Sequence, residues 1–315
     1  MKLYIIGNGF DIAHGIRCKY SDFYAYLTEN RNEVLEVMEK YYDIDETSDL
    51  WFKFEEQLEA NISYDSLKSI ILENAPDLSS DNFRNADWYT SQFIIEQECD
   101  NLLANIRSGF EEWINSLDLD SIIEKYEIDR NAHFFSFNYT EVLEQVYKIP
   151  TANILHIHNK VGEKLVFGHG KDVDNFNVKK ALYGNENAYI AIDEETGAII
   201  STEDGHEQFA EKAVCTFYDS MRKHTEEIIK SHTNYFKKLA NIDEILVLGH
   251  SYNETDHPYF EIISENVSDR ASWTLYYFSG EDRVNAEKLM KKLRINNNLL
   301  YYKHCSEMEK RNDAH

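Results

Sequence analysis

Short apolar runs recur along this chain, and most are followed by a stretch with helical spacing. KLYII opens it; HFFSF at 133–137, NILHIH at 153–158, EILVLGHS at 244–251, WTLYYFS at 273–279 and NLLYYKHC at 298–305 follow. Between them lie TEVLEQVYKI at 140–149, HPYFEIISENV at 257–267 and DRVNAEKLMKKL at 282–293, whose apolar residues recur at helical intervals. Strands that alternate with helices predict an α/β fold built on a mostly parallel, doubly wound sheet. Ligands of such sheets sit beyond the carboxyl ends of the strands. Attention therefore falls on the segments that leave strands: GNGFD after the first, SFNYT at 136–140 and GHS at 249–251.

Residues 28–128 read as almost continuous helix and predict a helical insertion after the first strand and helix, so that 1–27 and 129–305 form one α/β domain. Ser21 is the expected N-cap of SDFYAYL, and Pro76 marks a loop between SYDSLKSIILE and the long helix of 87–117. KLVFGHG at 164–170 reads as a further strand, 207–240 as one long helix, and AYIAID with GAIIST as a hairpin about EETG. The stripe Trp51, Phe54 and Leu58 reads as packing. Residues 306–315 form a polar tail.

Charge and composition narrow the function. Lys and Arg number 32 against 57 Asp and Glu, a formal charge of −25, and no local basic patch offsets it, so nucleic acid is an unfavourable partner. No apolar run reaches the roughly eighteen residues of a membrane span, and no signal peptide opens the chain. The four cysteines are far apart with no C-x-x-C, which argues against a structural zinc ribbon or a disulfide framework and fits a reducing cytoplasm.

The opening strand runs into Gly7-Asn8-Gly9-Phe10-Asp11, an arrangement in which backbone N–H groups at a helix start face a phosphate; a tight strand-to-helix turn is the plain alternative. A dehydrogenase fingerprint would need glycine where Ile12 stands, and no G-x-x-x-x-G-K-[ST] occurs. The pattern GNGFDIAHGI resembles the sirtuin-like opening, with Gly7, Gly9, Gly15 and Ile16 matching. SFNYT, HIHN and GHS resemble later sirtuin segments in the same order. Over nearly the whole chain, GNGFD, a W-x-x-FE helix, SFNYT, HIH, GHG and GHS resemble the bacterial AbiH family of phage abortive-infection proteins. Against the sirtuin-like segments, Asn159 stands where a glycine is usual, Thr140 replaces an acid, and proline is missing after Gly15-Ile16.

The resemblance implies a Rossmann-like, sirtuin-like sheet and a phage-defence role in which NAD, or a related dinucleotide, is bound and hydrolysed to nicotinamide and ADP-ribose. Asn138 and His158 are then the expected catalytic pair, the amide holding ribose and water and the imidazole acting as base. Gly7, Asn8, Gly9, Phe10, Asp11, Gly249, His250 and Ser251 are the expected cofactor-binding residues, with no metal. A trigger of phage origin or a partner defence protein, and a homo-oligomer, are expected with such a toxic activity.

Other readings stay open. Asn138 also suits an N-cap for a helix near Thr140, Asp11 a favourable charge at a helix start, Gly249 and Ser251 a capped turn, and His156 a hydrogen-bonded core residue. His156 and His158, on one face of a strand, could bind zinc in a metal-dependent hydrolase or nuclease. A nucleotide-sensing module without chemistry is the third reading.

Overall fold

The computed structural model describes residues 1–42, 54–55, 58, 62–185, 190–192, 199–201, 205–308 and 310. Its contacts divide into two compact units: Met1–Phe23, Phe110–Gly170 and Lys223–His315 form the first, and Tyr24–Gly109 with Lys171–Arg222 the second.

The first unit is an α/β body on a six-stranded sheet. Its strands are β1 (Lys2–Ile6), β2 (His133–Ser136), β3 (Ile154–His156), β6 (Glu244–Leu248), β7 (Ser272–Tyr277) and β8 (Leu300–His304), while β4 and β5 belong to the second unit. The order is β3-β2-β1-β6-β7-β8 and every pairing is parallel. The central strands are apolar on both faces because both are covered. Leu3, Ile5, Phe135, Ile245, Val247 and Trp273 enter one core with Phe260, Ile263, Leu289 and Met290 from the helices His257–Asn266 and Gly280–Lys292. Tyr4, Ile6, Phe134 and Leu248 enter the other with Phe10, Val142 and Leu143. Strand alternation thus produces the two cores directly.

Ile6 pairs with Ser136 on one side and with Leu248 on the other. The chain winds outward from β1 through β2 to β3, then returns to β6 and winds outward in the opposite direction. That reversal lies between β1 and β6, where an open parallel sheet leaves a crevice for ligands.

In the second unit the helices Tyr20–Asn30, Asn32–Glu39, Tyr64–Glu73, Thr90–Asn115 and Gly205–Ser220 dominate; the first begins in the α/β unit, and the fourth runs into it from Phe110 onward. The expected hairpin forms from β4 (Ile190–Ile192) and β5 (Ile199–Ser201), paired antiparallel. Phe54 and Leu58 are core residues, whereas Trp51, most of the W-x-x-FE helix and the turn EETG lie outside the described residues.

Local expectations change in several places. The helix at residue 20 starts before Ser21, and Asp22, not Ser21, closes its first turn by accepting the Lys19 N–H at 2.9 Å. TEVLEQVYKI keeps only Val142–Gln145 as α-helix, and the helical run of 90 onward stops at Asn115. NILHIH is a strand only to His156, and KLVFGHG forms no strand, only a single bridge residue at His169. The long helix of 207–240 is broken into Gly205–Ser220, Thr225–Ser231 and Thr233–Lys237. At the first break the Lys223 N–H leaves the helical pattern and donates to the His169 carbonyl at 2.8 Å.

Candidate functional site

The loops after β1 and β6 meet through their backbones. Gly7 N–H donates to Leu248 O at 2.9 Å and Gly9 N–H to Gly249 O at 2.8 Å. A Cβ on Gly7 would stand 2.6 Å from Gly249 O, and one on Gly249 would stand 2.1 Å from Phe10 N, at a φ of +68° that L side chains rarely adopt. The three glycines are therefore required by one another. The Phe10 N–H is also spent locally, on Gly7 O at 2.9 Å. Asn8 ties the loop down, its Nδ2 donating to Cys18 O at 2.8 Å and its Oδ1 lying 3.0 Å from the Cys18 thiol. Phe10 packs its ring into the core against His14, Tyr126 and Tyr147, while Ser251 is exposed.

Asp11 is buried in the helix Asn8–Ala13 and accepts a short hydrogen bond from the Thr140 hydroxyl at Oδ2. Burial pushes its carboxyl up to about 6, even though the Thr140 hydroxyl, the neighbouring Asn138 amide and the His156 charge all favour the ionised form. Among the described residues Asp11 Oδ1 has no hydrogen-bond partner of normal geometry, and neither does Oδ1 or Nδ2 of buried Asn138. Asn138 is fixed through its backbone instead: its N–H donates to Ser136 Oγ at 3.1 Å, and its carbonyl accepts from His156 Nδ1 at 2.9 Å. It is not an N-cap; the next helix starts at Val142, with Glu141 in the cap position.

Thr140, which stands where the sirtuin-like segment has an acid, has a physical reason. An acid there would set a second carboxylate against Asp11, where like charges raise each other's cost of ionisation. Asn159, another departure, adopts φ +62°, a conformation that Asn tolerates better than most residues, and its Nδ2 donates to Lys164 O at 2.7 Å.

His158 lies just past β3, in a buried cluster with His250, Asp256 and Lys223. Asp256 Oδ1 is 3.6 Å from Lys223 Nζ and 3.9 Å from His158 Nε2, and Asp256 Oδ2 is 3.3 Å from His250 Nε2. His250 Nδ1 accepts the Tyr252 N–H at 2.8 Å, so its proton sits on Nε2 and faces Asp256. His158 bonds the Phe137 carbonyl, and its Nε2 has no hydrogen-bond partner among the described residues, so Nδ1 is the donor. Burial, and next the Lys223 charge, push the His158 imidazolium well below the ordinary histidine range, leaving Nε2 a bare lone pair at neutral pH. Asp256 is held strongly acidic despite burial, first by Lys223 and then by the two imidazoles.

Of the expected site residues, Asp11 and Asn138 thus gather beside Thr140, and His158 and His250 around Asp256 and Lys223, and Asn138 and His158 make no hydrogen bond to each other. His156 and His158 do not converge: His156 spends Nδ1 on Asn138 and lies 3.1 Å through Nε2 from Glu144. Among the described residues no group of three or more His, Cys, Asp or Glu side chains is arranged to hold a metal ion. Lys223 and Asp256 escaped the sequence reading. Asp256 lies on the same post-strand segment as His250, but Lys223 sits inside a run that reads as helix, and no spacing rule links it to a carboxylate 33 positions on.

A parallel α/β sheet with buried carboxylates, an amide and histidines gathered at its strand ends defines a Rossmann-like α/β protein with a polar site at its carboxyl edge. Compared with protein-family profiles, residues 3–277 match Bacteriophage abortive infection AbiH, and the chain belongs to that family. Its role is accordingly in antiphage abortive infection. No curated protein matches the chain. Among the described residues no helix is long and apolar enough to cross a membrane.

Proposed function

We propose that the chain binds NAD or a closely related dinucleotide at the carboxyl ends of β1, β2, β3 and β6 and hydrolyses the nicotinamide–ribose bond, releasing nicotinamide and ADP-ribose. The observation that carries this reading is the set of buried polar atoms that make no hydrogen bond of normal geometry among the described residues: Asp11 Oδ1, Asn138 Oδ1 and Nδ2, His158 Nε2 and Asp256 Oδ1. Buried polar atoms are nearly always hydrogen-bonded, and a concentration of exceptions at strand ends suits a polar ligand. The sequence likeness to sirtuin-like loops supplies the choice of dinucleotide. Asn138 can both donate and accept, which suits it to hold a ribose hydroxyl or the attacking water. Neutral His158 can take a proton at Nε2 as ribosyl cation character develops. Depletion of the dinucleotide would arrest the infected cell, under control of a phage-derived trigger or a partner protein.

The test is incubation of the purified protein with NAD over a range of protein concentrations, following nicotinamide and ADP-ribose. Release that is lost in Asn138→Ala and in His158→Ala supports the reading, and cleavage that survives in both removes the residue assignment. A second reading, a dinucleotide sensor that does not cut, is favoured by the lack of a hydrogen bond between Asn138 and His158. Tight NAD binding without turnover under every activating condition would establish it.

A further inference from the structure

We propose that His158 Nε2 and Asp256 Oδ1 form one two-acceptor site that takes the vicinal cis-diol of a ribose, with Lys223 and His250 as positioning residues for Asp256. The inference rests on the reading that the chain binds a ribose-containing nucleotide, and it names the ligand group that the buried cluster recognises.

The two atoms are 3.9 Å apart, too far for a hydrogen bond, and each lacks a hydrogen-bond partner among the described residues. With the His158 proton on Nδ1, both present lone pairs, and two buried acceptors set face to face are unfavourable until a donor of two protons lies between them. A ribose diol offers two O–H donors on adjacent carbons. A cation would also meet two acceptors, but Lys223 already balances Asp256, and its side chain is 0% exposed. A neutral donor is therefore the better complement. The Asp256 side chain is 13% exposed, against 3% for each histidine, although its Oδ1 is itself buried. The rings of Phe137 and Tyr259, with centroids 5.4 and 5.5 Å from that of His158, supply apolar walls of the kind that flank a few polar anchors in ligand sites.

The proposal separates Asp256 from its neighbours by role. Its Oδ2 faces the His250 N–H, which fixes the plane of the carboxylate and leaves Oδ1 toward His158. Replacing Asp256 by Asn keeps the shape, but an amide whose oxygen serves His250 turns its NH2 toward the diol, so a donor meets donors.

The experiment is calorimetric titration of the full chain with NAD, with ATP and with 2′,3′-dideoxy-ATP, repeated on Asp256→Asn. The expected result is binding of the diol-bearing ligands about tenfold or more tighter than the dideoxy ligand, with NAD affinity falling by a similar factor in the variant. If D256N does not fold, Asp256→Glu, which keeps the charge but displaces the carboxylate, takes its place. NAD binding that is equal in wild type and folded variant overturns the diol site and leaves the NAD reading standing, as does equal affinity for ATP and its dideoxy form. A diol preference for ATP without any NAD binding supports the diol site and removes the NAD reading. Absence of binding for all three probes overturns both and leaves the two acceptors to water.

Discussion

Gly9 donates its N–H to the carbonyl of Gly249 at 2.8 Å, so the turn that follows the first strand is clamped to the turn that follows β6. The contact lies where the sheet reverses its winding, and it sets the spacing of the loops that carry Asp11 and His250. A Cβ on Gly249 would penetrate the Phe10 peptide and would also sit at positive φ. Gly249→Ala is expected to cost about 2–4 kcal/mol, from overpacking plus backbone strain. Gly15→Ala is the control, because Gly15 has φ +85° but nothing within 4 Å of an added Cβ; its cost should stay near 1 kcal/mol. Thermal unfolding of the two variants checks the difference, and equal losses would show that the clamp contributes nothing.

Asp11 gives the unit a pH signature. Its carboxyl titrates at about 6 in the folded chain against 3.8 for the unperturbed group, so between those values the folded state holds more protons than the unfolded state. Stability from this group is complete below about pH 4, falls as the pH rises to about 6, and stays lost above. The shift corresponds to about 3 kcal/mol. Asp11→Asn, which can still accept from Thr140, removes that loss. Denaturant unfolding should therefore find the variant gaining on wild type between pH 4 and 7, and parallel pH curves would rule out a buried carboxyl of this kind.

Thr140→Val extends the same argument. It leaves Asp11 Oδ2 without its hydroxyl donor while preserving shape, so the loss should be about 1–3 kcal/mol at pH 7, where the carboxylate is charged. At pH 4 the loss should shrink, because the protonated carboxyl needs the hydroxyl less. A penalty that is the same at both pH values would show that the hydroxyl does not serve the charge.

The sheet was legible because its central strands are buried on both faces and stand out as apolar runs: Leu3 and Tyr4, or Phe134 and Phe135, enter different cores. Helix lengths were less legible, since a helical spacing says nothing of where tertiary hydrogen bonds cut it; Lys223 shows this, leaving the helix for His169 O and Asp256. Within the site, Asp11, Asn138, His158 and His250 were visible beside glycine turns and strand ends. The Lys223–Asp256 pair was not, because only the fold brings a lysine inside a helix-like run to a carboxylate on the segment that leaves β6.

Asn159→Gly and Asn159→Val should move stability by different amounts. Glycine accepts φ +62° without a Cβ but loses the bond from Nδ2 to Lys164 O, so the two effects should nearly cancel, within about 0.5–1 kcal/mol. Valine loses the bond and adds a β-branched side chain in left-handed backbone, with a cost of about 2–3 kcal/mol. Unfolding curves for the pair check it; a large loss for glycine would mean that the Asn159 amide, not its backbone, explains its place in the turn.

Lys223 and Asp256 are expected to fail singly and recover together. Removing the ammonium in Lys223→Met strands a carboxylate that is held acidic chiefly by that charge, and breaking a buried pair from one side costs about 3–5 kcal/mol. Asp256 is depressed below its unfolded value, so its contribution is present above about pH 4 and disappears as the pH falls through its folded range; the single variant should accordingly approach wild type in acid. In Lys223→Met/Asp256→Leu neither charge is stranded, and a double-mutant cycle should return much of the loss at pH 7. His250 would then lack its acceptor, so recovery should be incomplete. Additive losses in the cycle would mean that Lys223 and Asp256 act on separate partners and that the ion pair does not organise the cluster around His158.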